Sequence, residues 1–383
     1  MPRFKFVSNY PHYAEDHVTL LPTPTRVQAL PDYCGRGVNI AFVDSGFSRH
    51  PDIADRIIVH ADASTRHIIE QPTVMDISPL SWHGQMTSVI CAGDGRVSGG
   101  HFRGIAYEAR LILVKVSTPQ GAIKEADILR GLRWLYDTRR RYKPHIVNVS
   151  VGGDEVSHDP HHPLHTAVRK LVNAGIVVII AAGNSGHSFI VPPASAPEAL
   201  TIGGYNDHNS LDRRQWSLYH HNYACAYDGT PKPELIAPAS LIASPLLPDS
   251  ATAREIGVLA QLLHVRGRET IKRIVQEHHE VLGVAEDAVM DAEMLNYLQG
   301  RIYHHKVIDA QHQHVDGSSV AAPIVASVVA QMLEANPCLT PSQVRQILLD
   351  TAQPLPNVPE AMQGAGCLNA AEAVIAARDL VIA

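Results

Sequence analysis

From Val38 to about Pro238 the chain alternates short apolar runs with longer amphipathic stretches. Val38–Val43, Leu111–Val116, Ile146–Ser150 and Ile176–Ala181 are brief and rich in β-branched residues, the pattern of strands buried on both faces. Between them, Lys124–Arg140 and Leu164–Ala174 read as helices. In the second, Leu164, Val168, Leu171 and Val172 share one face and Gly175 marks the end. Strands alternating with helices predict an α/β fold, with a mostly parallel central sheet flanked by helices.

The pattern breaks at two places. Residues 1–34 are polar and interrupted by Pro11, Pro22, Pro24 and Pro31, which predicts an extended N-terminal extension rather than a domain. From about 249 to 305, Ile256, Leu259, Leu262 and Leu263, then Ile271, Ile274, Val275, Val281 and Leu282, recur at helical spacing with no strand-like run. That stretch is predicted as a helical insertion within a domain spanning 35–383. Afterwards an apolar helix resumes at Val320–Leu333, and Thr340-Pro341 supplies an N-cap and a proline at the first position of the next helix. No uninterrupted apolar run long enough for a membrane span stands out, so no membrane contact is expected.

Composition narrows the class. With 383 residues, 45% of them hydrophobic and 18% charged, the chain is neither a disulfide-stapled module nor a disordered segment. A net charge of −6 offers no general attraction for phosphate backbones, which argues against nucleic acid as a partner. Protonating all 23 histidines would carry the charge from −6 to +17, so behaviour should change below about pH 6. The 5 cysteines are odd in number and lack CxxC spacing, as expected of free thiols in a reducing compartment. Together with a start that lacks the apolar stretch of a signal peptide, this predicts a cytoplasmic location.

Ligands of open parallel sheets meet the carboxyl ends of the strands, so polar residues directly after apolar runs are the first candidates. Asp44 closes the first strand, His83 heads an apolar helix, and Asn184 follows Ala181-Ala182-Gly183. Ser319 sits in Gly317-Ser318-Ser319-Val320-Ala321-Ala322-Pro323, where a glycine turn delivers a serine to a helix N-terminus. The free N–H groups there favour negative charge, and Pro323 is expected among the N–H groups that lack an intrahelical partner. Each residue alone has a commonplace use as a cap or turn former. Their joint order, Asp, His, Asn, Ser, does not.

Asp44-Ser45-Gly46, His83-Gly84, Ser150-Val151-Gly152-Gly153, Ala181-Ala182-Gly183-Asn184 and Gly317–Pro323 together resemble the signature segments of the subtilisin-like serine proteases (subtilases, peptidase family S8), in that family's order. Phe102–Ala106, Val191–Ala194 and Lys232–Pro238 add weaker matches. The resemblance implies a three-layer subtilisin-like fold and a serine endopeptidase acting through an acyl-enzyme. In that scheme Ser319 is the nucleophile, His83 its general base, Asp44 the orienting carboxylate, and Asn184 with the Ser319 N–H the oxyanion hole. Ser150, Val151, Gly152, Gly153, Ala182 and Gly183 would line the substrate, a protein or peptide taken up as an added strand. Two other classes share these residues: a transpeptidase or macrocyclase, in which an amine resolves the acyl-enzyme, and a non-catalytic peptide-binding scaffold.

Several features depart from the family. Val320 and Ser318 replace a commoner methionine and threonine, and Gln85-Met86 after the histidine would alter the cleft floor. Asn184 and Ser319 stand 135 residues apart, longer than in compact members, and the helical insertion accounts for the excess. An insertion just upstream of the nucleophile turn either loops away as a peripheral decoration or emerges near the catalytic face, where it would gate the cleft or bind a partner. Restraint of activity by residues 1–30 and a homodimer are expectations drawn from resemblance to the family's intracellular branch. The chemistry itself requires no cofactor. Structural calcium, common in the family, has no matching ligand loop here and stays unassigned. The histidines in His158–His165 are dense enough to raise metal binding or cleft lining, whereas His304, His305, His312 and His314 are expected to be solvated.

Overall fold

The computed structural model describes residues 4–380, apart from 9, 12, 15, 16, 19, 76 and 77. The chain divides into two units, one formed by residues 22–242 and 316–383, the other by residues 1–21 and 243–315.

The larger unit is built on a nine-stranded sheet. From one edge its strands run Ser217–Leu218, Leu200–Asn206, Val177–Ala181, Ile146–Val149, Asn39–Asp44, Arg110–Lys115, Ile57–Asp62 and Ile69–Gln71, with Leu235–Pro238 also paired to Leu200–Asn206. The two outermost strands of this order, Ser217–Leu218 and Ile69–Gln71, are antiparallel to their neighbours, and all other pairs are parallel. Asn39–Asp44 lies between Arg110–Lys115 and Ile146–Val149, where the order of winding reverses. Such a switch point opens a crevice at the carboxyl ends of the strands, and Asp44 is the last residue of this one.

Residues that alternate along the strands pack on opposite faces. Ala41, Val43, Ile112, Val114, Val147 and Ile180 meet Ile128, Leu132 and Leu135 of the helix Glu125–Asp137 and Leu164, Val168 and Leu171 of the helix Pro163–Asn173. The other face is covered by the helices Ser318–Ala335 and Ser81–Ala92, which also pack on each other. Ser318–Ala335 is long and apolar enough to cross a membrane by length and composition, but nearly all of it is buried in this unit as a core helix. Pro323 lies inside it, beyond the first four residues, so the expected place among unpaired N–H groups is corrected: the proline removes the bond that would reach the Ser319 carbonyl. At the neck of the insertion, the Leu241 N–H donates to Asp316 Oδ1 at 2.8 Å and the Gly317 N–H to the Ala239 carbonyl at 2.8 Å.

Residues 1–34 do not stay together as one extension. From Pro22 onward they belong to the larger unit, where Arg26 is 2% exposed and donates to Asp207 at 3.1 Å and to the Ser240 and Leu241 carbonyls. One Glu334 oxygen accepts the N–H groups of Cys34, Gly35 and Arg36 at 2.6, 2.7 and 3.1 Å. A buried guanidinium and a carboxylate at this many partners tie the segment down more firmly than a loose arm would be.

In the smaller unit the helices Ala251–His264, Arg268–Glu277 and Ala292–His304 enclose Ile256, Leu259, Leu262, Ile271, Val275, Leu298 and Ile302. Ser250 and Asp291 cap the first and third by accepting from Ala253 N and Met294 N. The predicted helical insertion is present, and the N-terminal segment completes its core. Phe6 is fully buried there, the Gly267 N–H donates to the Phe4 carbonyl at 2.9 Å, and Gln299 exchanges hydrogen bonds with the backbone of Val7. Tyr10 stacks on Tyr303 with ring centroids 5.2 Å apart. Of the predicted restraining arm, Phe4, Phe6, Val7 and Tyr10 are thus held within the helical unit, while residues 22–30 belong to the larger unit and residues 1–3, 9, 12, 15, 16 and 19 lie outside the described residues. The second histidine cluster is solvated only in part: His304 is exposed as expected, and the other three are not. His312 and His314 are 2% and 3% exposed, held by Asp309 and by the Pro11 carbonyl, and His305 faces Glu255.

Candidate active site

Asp44 ends its strand fully buried and uses both carboxylate oxygens. Oδ1 lies 2.6 Å from His83 Nδ1 and accepts the Ser45 N–H at 2.7 Å, while Oδ2 accepts the Thr87 hydroxyl at 3.0 Å. The carboxylate can only accept, so His83 carries its proton on Nδ1 and presents Nε2 as a base. Burial disfavours the charged ring, but the charge and hydrogen bond of Asp44 outweigh it and hold the His83 pKa above the ordinary imidazole value.

His83 reaches Asp44 because its helix comes unusually close. A Cβ on Gly84 would lie 2.1 Å from the Gly46 carbonyl oxygen and 3.0 Å from Asp44 Cβ, so only glycine fits. Ser45 Oγ donates to the Leu80 carbonyl at 2.8 Å, fastening the same turn to the start of the helix. Gly84→Ala is expected to destabilise the protein by about 1–3 kcal/mol through overpacking and to lower turnover by pushing His83 away. Urea unfolding and steady-state kinetics check both effects, and unchanged values would mean the helix can retreat without loss. Gln85 and Met86 follow His83 in the same helix. Both are buried, and Gln85 accepts from Ser48 Oγ.

The second half of the site is assembled at the start of the helix Ser318–Ala335. The Ser318 N–H donates to Asn184 Oδ1 at 2.7 Å, which fixes the amide so that Nδ2 faces away from Ser318. Val320 and Ala321 N–H groups are taken by the Gly317 carbonyl, and the Ser319 N–H has no partner among the described residues. A Cβ built on Gly317 would lie 3.0 Å from Ser319 Oγ and 3.4 Å from Asn184 Nδ2, so these two polar atoms flank one glycine, whose φ is +148°. Neither Ser319 Oγ nor His83 Nε2 has a hydrogen-bond partner among the described residues, and catalytic hydrogen bonds often tighten only when substrate binds.

The predicted substrate residues behave differently from one another. Ser150 and Val151 are half-buried and Gly152 is exposed, while the Gly153 N–H donates to the Pro192 carbonyl at 2.7 Å. Ala182 is buried, and both backbone groups of Gly183 are engaged, its N–H by Ser318 Oγ at 3.0 Å and its carbonyl by Asn222 N at 3.1 Å. Ala182 and Gly183 therefore shape the site, and the exposed backbone near Gly152 is what remains open to a ligand strand.

The first histidine cluster is dispersed. His165 is fully buried, with Nδ1 at 2.9 Å from the Asp159 carbonyl and Nε2 at 2.8 Å from Ser195 Oγ, and burial lowers its pKa. This is a second histidine–serine pair, but its imidazole is oriented by a backbone carbonyl instead of a carboxylate and its serine is 3% exposed. Because the Val191 carbonyl accepts from Ser195 N and its side chain packs against Gly152, the pair anchors the loop behind residues 150–153. His162 caps its helix by accepting from Leu164 N. Among the described residues no group of three or more His, Cys, Asp or Glu converges as a metal site.

Thr87 and Asn222 do not stand out in the sequence, and Ser318 does so only as a departure in the turn before Ser319. Thr87 stands one turn beyond His83 on the same helix face, a signal that was available. Nothing in the spacing of Asn222 links it to Asn184.

Residues 35–366 match the model of the subtilase family of S8 peptidases. The serine protease AprX of Bacillus subtilis is 31% identical over 89% of this chain and 66% of its own length. Subtilisin BL of Lederbergia lenta is 29% identical over 48% of this chain and 61% of its own. The crystal structure of fervidolysin from Fervidobacterium pennivorans, described as a keratinolytic enzyme related to subtilisin, superposes with a TM-score of 0.65 at 18% identity, covering 97% of this chain and 50% of that one. The chain thus spans less than two thirds of the length of these curated relatives.

Proposed function

Since this chain belongs to the subtilase family, we propose that it is a serine endopeptidase whose machinery is Asp44, His83, Ser319 and Asn184. The observation that carries the proposal is the Asn184 amide, turned by the Ser318 N–H so that Nδ2 flanks Ser319 Oγ across Gly317. In this reading a peptide strand lies along Ser150–Gly153. Ser319 Oγ attacks the scissile carbonyl carbon as its proton passes to His83 Nε2. Negative charge gathers on the carbonyl oxygen, where Asn184 Nδ2 and the Ser319 N–H donate to it. Asp44 stabilises the imidazolium, which gives its proton to the departing amine. Water, activated by the same histidine, then releases the acyl group.

A reducing, cytoplasmic setting is supported by five free thiols, of which Cys225 and Cys338 are exposed and Cys34, Cys91 and Cys367 buried. The test is labelling with a fluorophosphonate followed by peptide mapping. Adduct is expected on Ser319, unaffected in Ser195→Ala and absent in folded Ser319→Ala. Adduct on Ser195, or none on the folded wild-type chain, would overturn the assignment.

A further inference from the structure

We propose that Asn222, remote in sequence from the four residues above, is a positioning residue for the Asn184 amide, an inference that rests on the acyl-transfer reading of the site. Asn222 is 5% exposed and grips the loop on both sides of Asn184. Before it, the Asn222 N–H donates to the Gly183 carbonyl at 3.1 Å. Its side chain packs so tightly on Gly183 that a Cβ there would lie 2.7 Å from Asn222 Nδ2, and Gly183 has a φ of +96°, which glycine alone adopts readily. After Asn184, Asn222 Oδ1 accepts the Ser185 N–H at 2.9 Å and the Ser185 hydroxyl at 2.6 Å, and lies 3.5 Å from His187 N. The Tyr223 N–H donates to the His187 carbonyl at 3.2 Å, extending the grip.

The grip is anchored in the sheet. The neighbouring His221 is buried, with Nδ1 accepting the Gly204 N–H of the strand Leu200–Asn206 at 2.9 Å and Nε2 donating to the Met362 carbonyl at 2.6 Å. Its ring lies against Gly203, where a Cβ would come within 2.6 Å. Sheet, His221, Asn222 and loop form one continuous chain of contacts ending at Asn184. Ser318 fixes the amide from the opposite side by accepting from Gly183 N through Oγ and donating to Asn184 Oδ1 through its N–H. An oxyanion donor works because it is aimed before charge develops, and a displacement of about 1 Å can cost on the order of 100-fold in rate. Asn222 holds that aim without touching substrate.

The roles separate by the acceptor atom. Asn222→Ala removes the acceptor, whereas Asn222→Asp keeps an oxygen at the Oδ1 position. Turnover of a chromogenic peptide by Asn222→Ala is expected to fall about 10-fold in kcat with KM within about twofold, less than removal of the donor itself. Asn222→Asp is expected to recover most of the loss. In an Asn184→Ala background, Asn222→Ala should cost little further kcat, because no amide remains to be aimed. Ser185→Ala, which removes one exposed contact to Oδ1, should lower kcat about threefold and lose that effect in the same background. An Asn222→Ala loss that persists undiminished with Asn184→Ala, a folded Asn222→Asp as impaired as the alanine variant, or a Ser185→Ala enzyme with wild-type kcat overturns the proposal. Fluorophosphonate labelling of wild-type Ser319 reports separately on the acyl-transfer reading, so a failure of that reading is told apart from a failure of the positioning role.

Discussion

Asp44→Ala is expected to lower kcat by roughly 30,000-fold, the magnitude known for the corresponding residue of a subtilisin. The structure explains why so much rests on one side chain. Asp44 is fully buried and accepts from His83, Ser45 and Thr87 at once, so truncation leaves the His83 and Ser45 donors without their acceptor, while Thr87 can turn to the Gly84 carbonyl. His83 then loses the bond that keeps its proton on Nδ1.

Asp44→Asn separates charge from shape. An amide oxygen at the Oδ1 position can still accept from His83 and Ser45. The amide nitrogen at Oδ2 can donate to Thr87 Oγ1, whose proton turns to the Gly84 carbonyl 3.1 Å away. Tautomer and ring orientation survive in that arrangement, and the negative charge does not. With the charge gone, burial is opposed only by the remaining hydrogen bond, and the His83 pKa falls. The wild-type enzyme needs neutral His83, so the acid limb of its kcat/KM profile should lie above about pH 6.5, the ordinary imidazole value. In Asp44→Asn that limb should move to lower pH while the plateau drops. A limb that stays in place would show that another group controls it.

The sign for stability runs the other way. The raised pKa of His83 contributes stability that is present below about pH 6.5 and lost as pH rises through the folded value. His145, His165 and His221 have pKa values lowered by burial, so their share is present above about pH 6.5 and lost as pH falls toward the folded values. The histidine count alone anticipates sensitivity to acid. Only the positions of the rings tell which ones carry it, and in which direction.

The same distinction applies to the rest of the molecule. The strands ending in Asp44 and Ala181 could be read from sequence because burial on both faces demands unbroken β-branched runs, and the polar residues at their ends were conspicuous for that reason. The union of the N-terminal segment with the helical insertion was not visible. Phe4 and Phe6 are too few to set a period, and their partners, including Ile271 and Leu298, lie hundreds of residues away. His312 and His314 look solvated in a polar stretch, yet His312 is buried beside Asp309 and His314 against the Pro11 carbonyl, a remote acceptor that the local pattern does not disclose. Thr87 is different, since its position one helical turn beyond His83 already places it on the Asp44 side.

Asn184→Ala is expected to lower kcat by about 100- to 1000-fold with little change in KM, the range known for loss of the same donor in a subtilisin. The ground-state carbonyl oxygen is a weaker acceptor than the oxyanion, so the amide matters chiefly after attack has begun. Truncation also deprives the Ser318 N–H of its acceptor at the helix start, and a fall in kcat could in principle come from movement of Ser319. Asn184→Asp distinguishes the two causes. Its carboxylate can still accept from the Ser318 N–H and so hold the turn, but it places negative charge where the amide donated to the developing oxyanion. If donation to the oxyanion is the role, Asn184→Asp should be slower than Asn184→Ala even with the turn restored. If Asn184 serves only to hold the Ser318 turn, Asn184→Asp should be the faster of the two. Single-turnover acylation of an activated ester, measured beside fluorophosphonate labelling of Ser319, reads the difference directly.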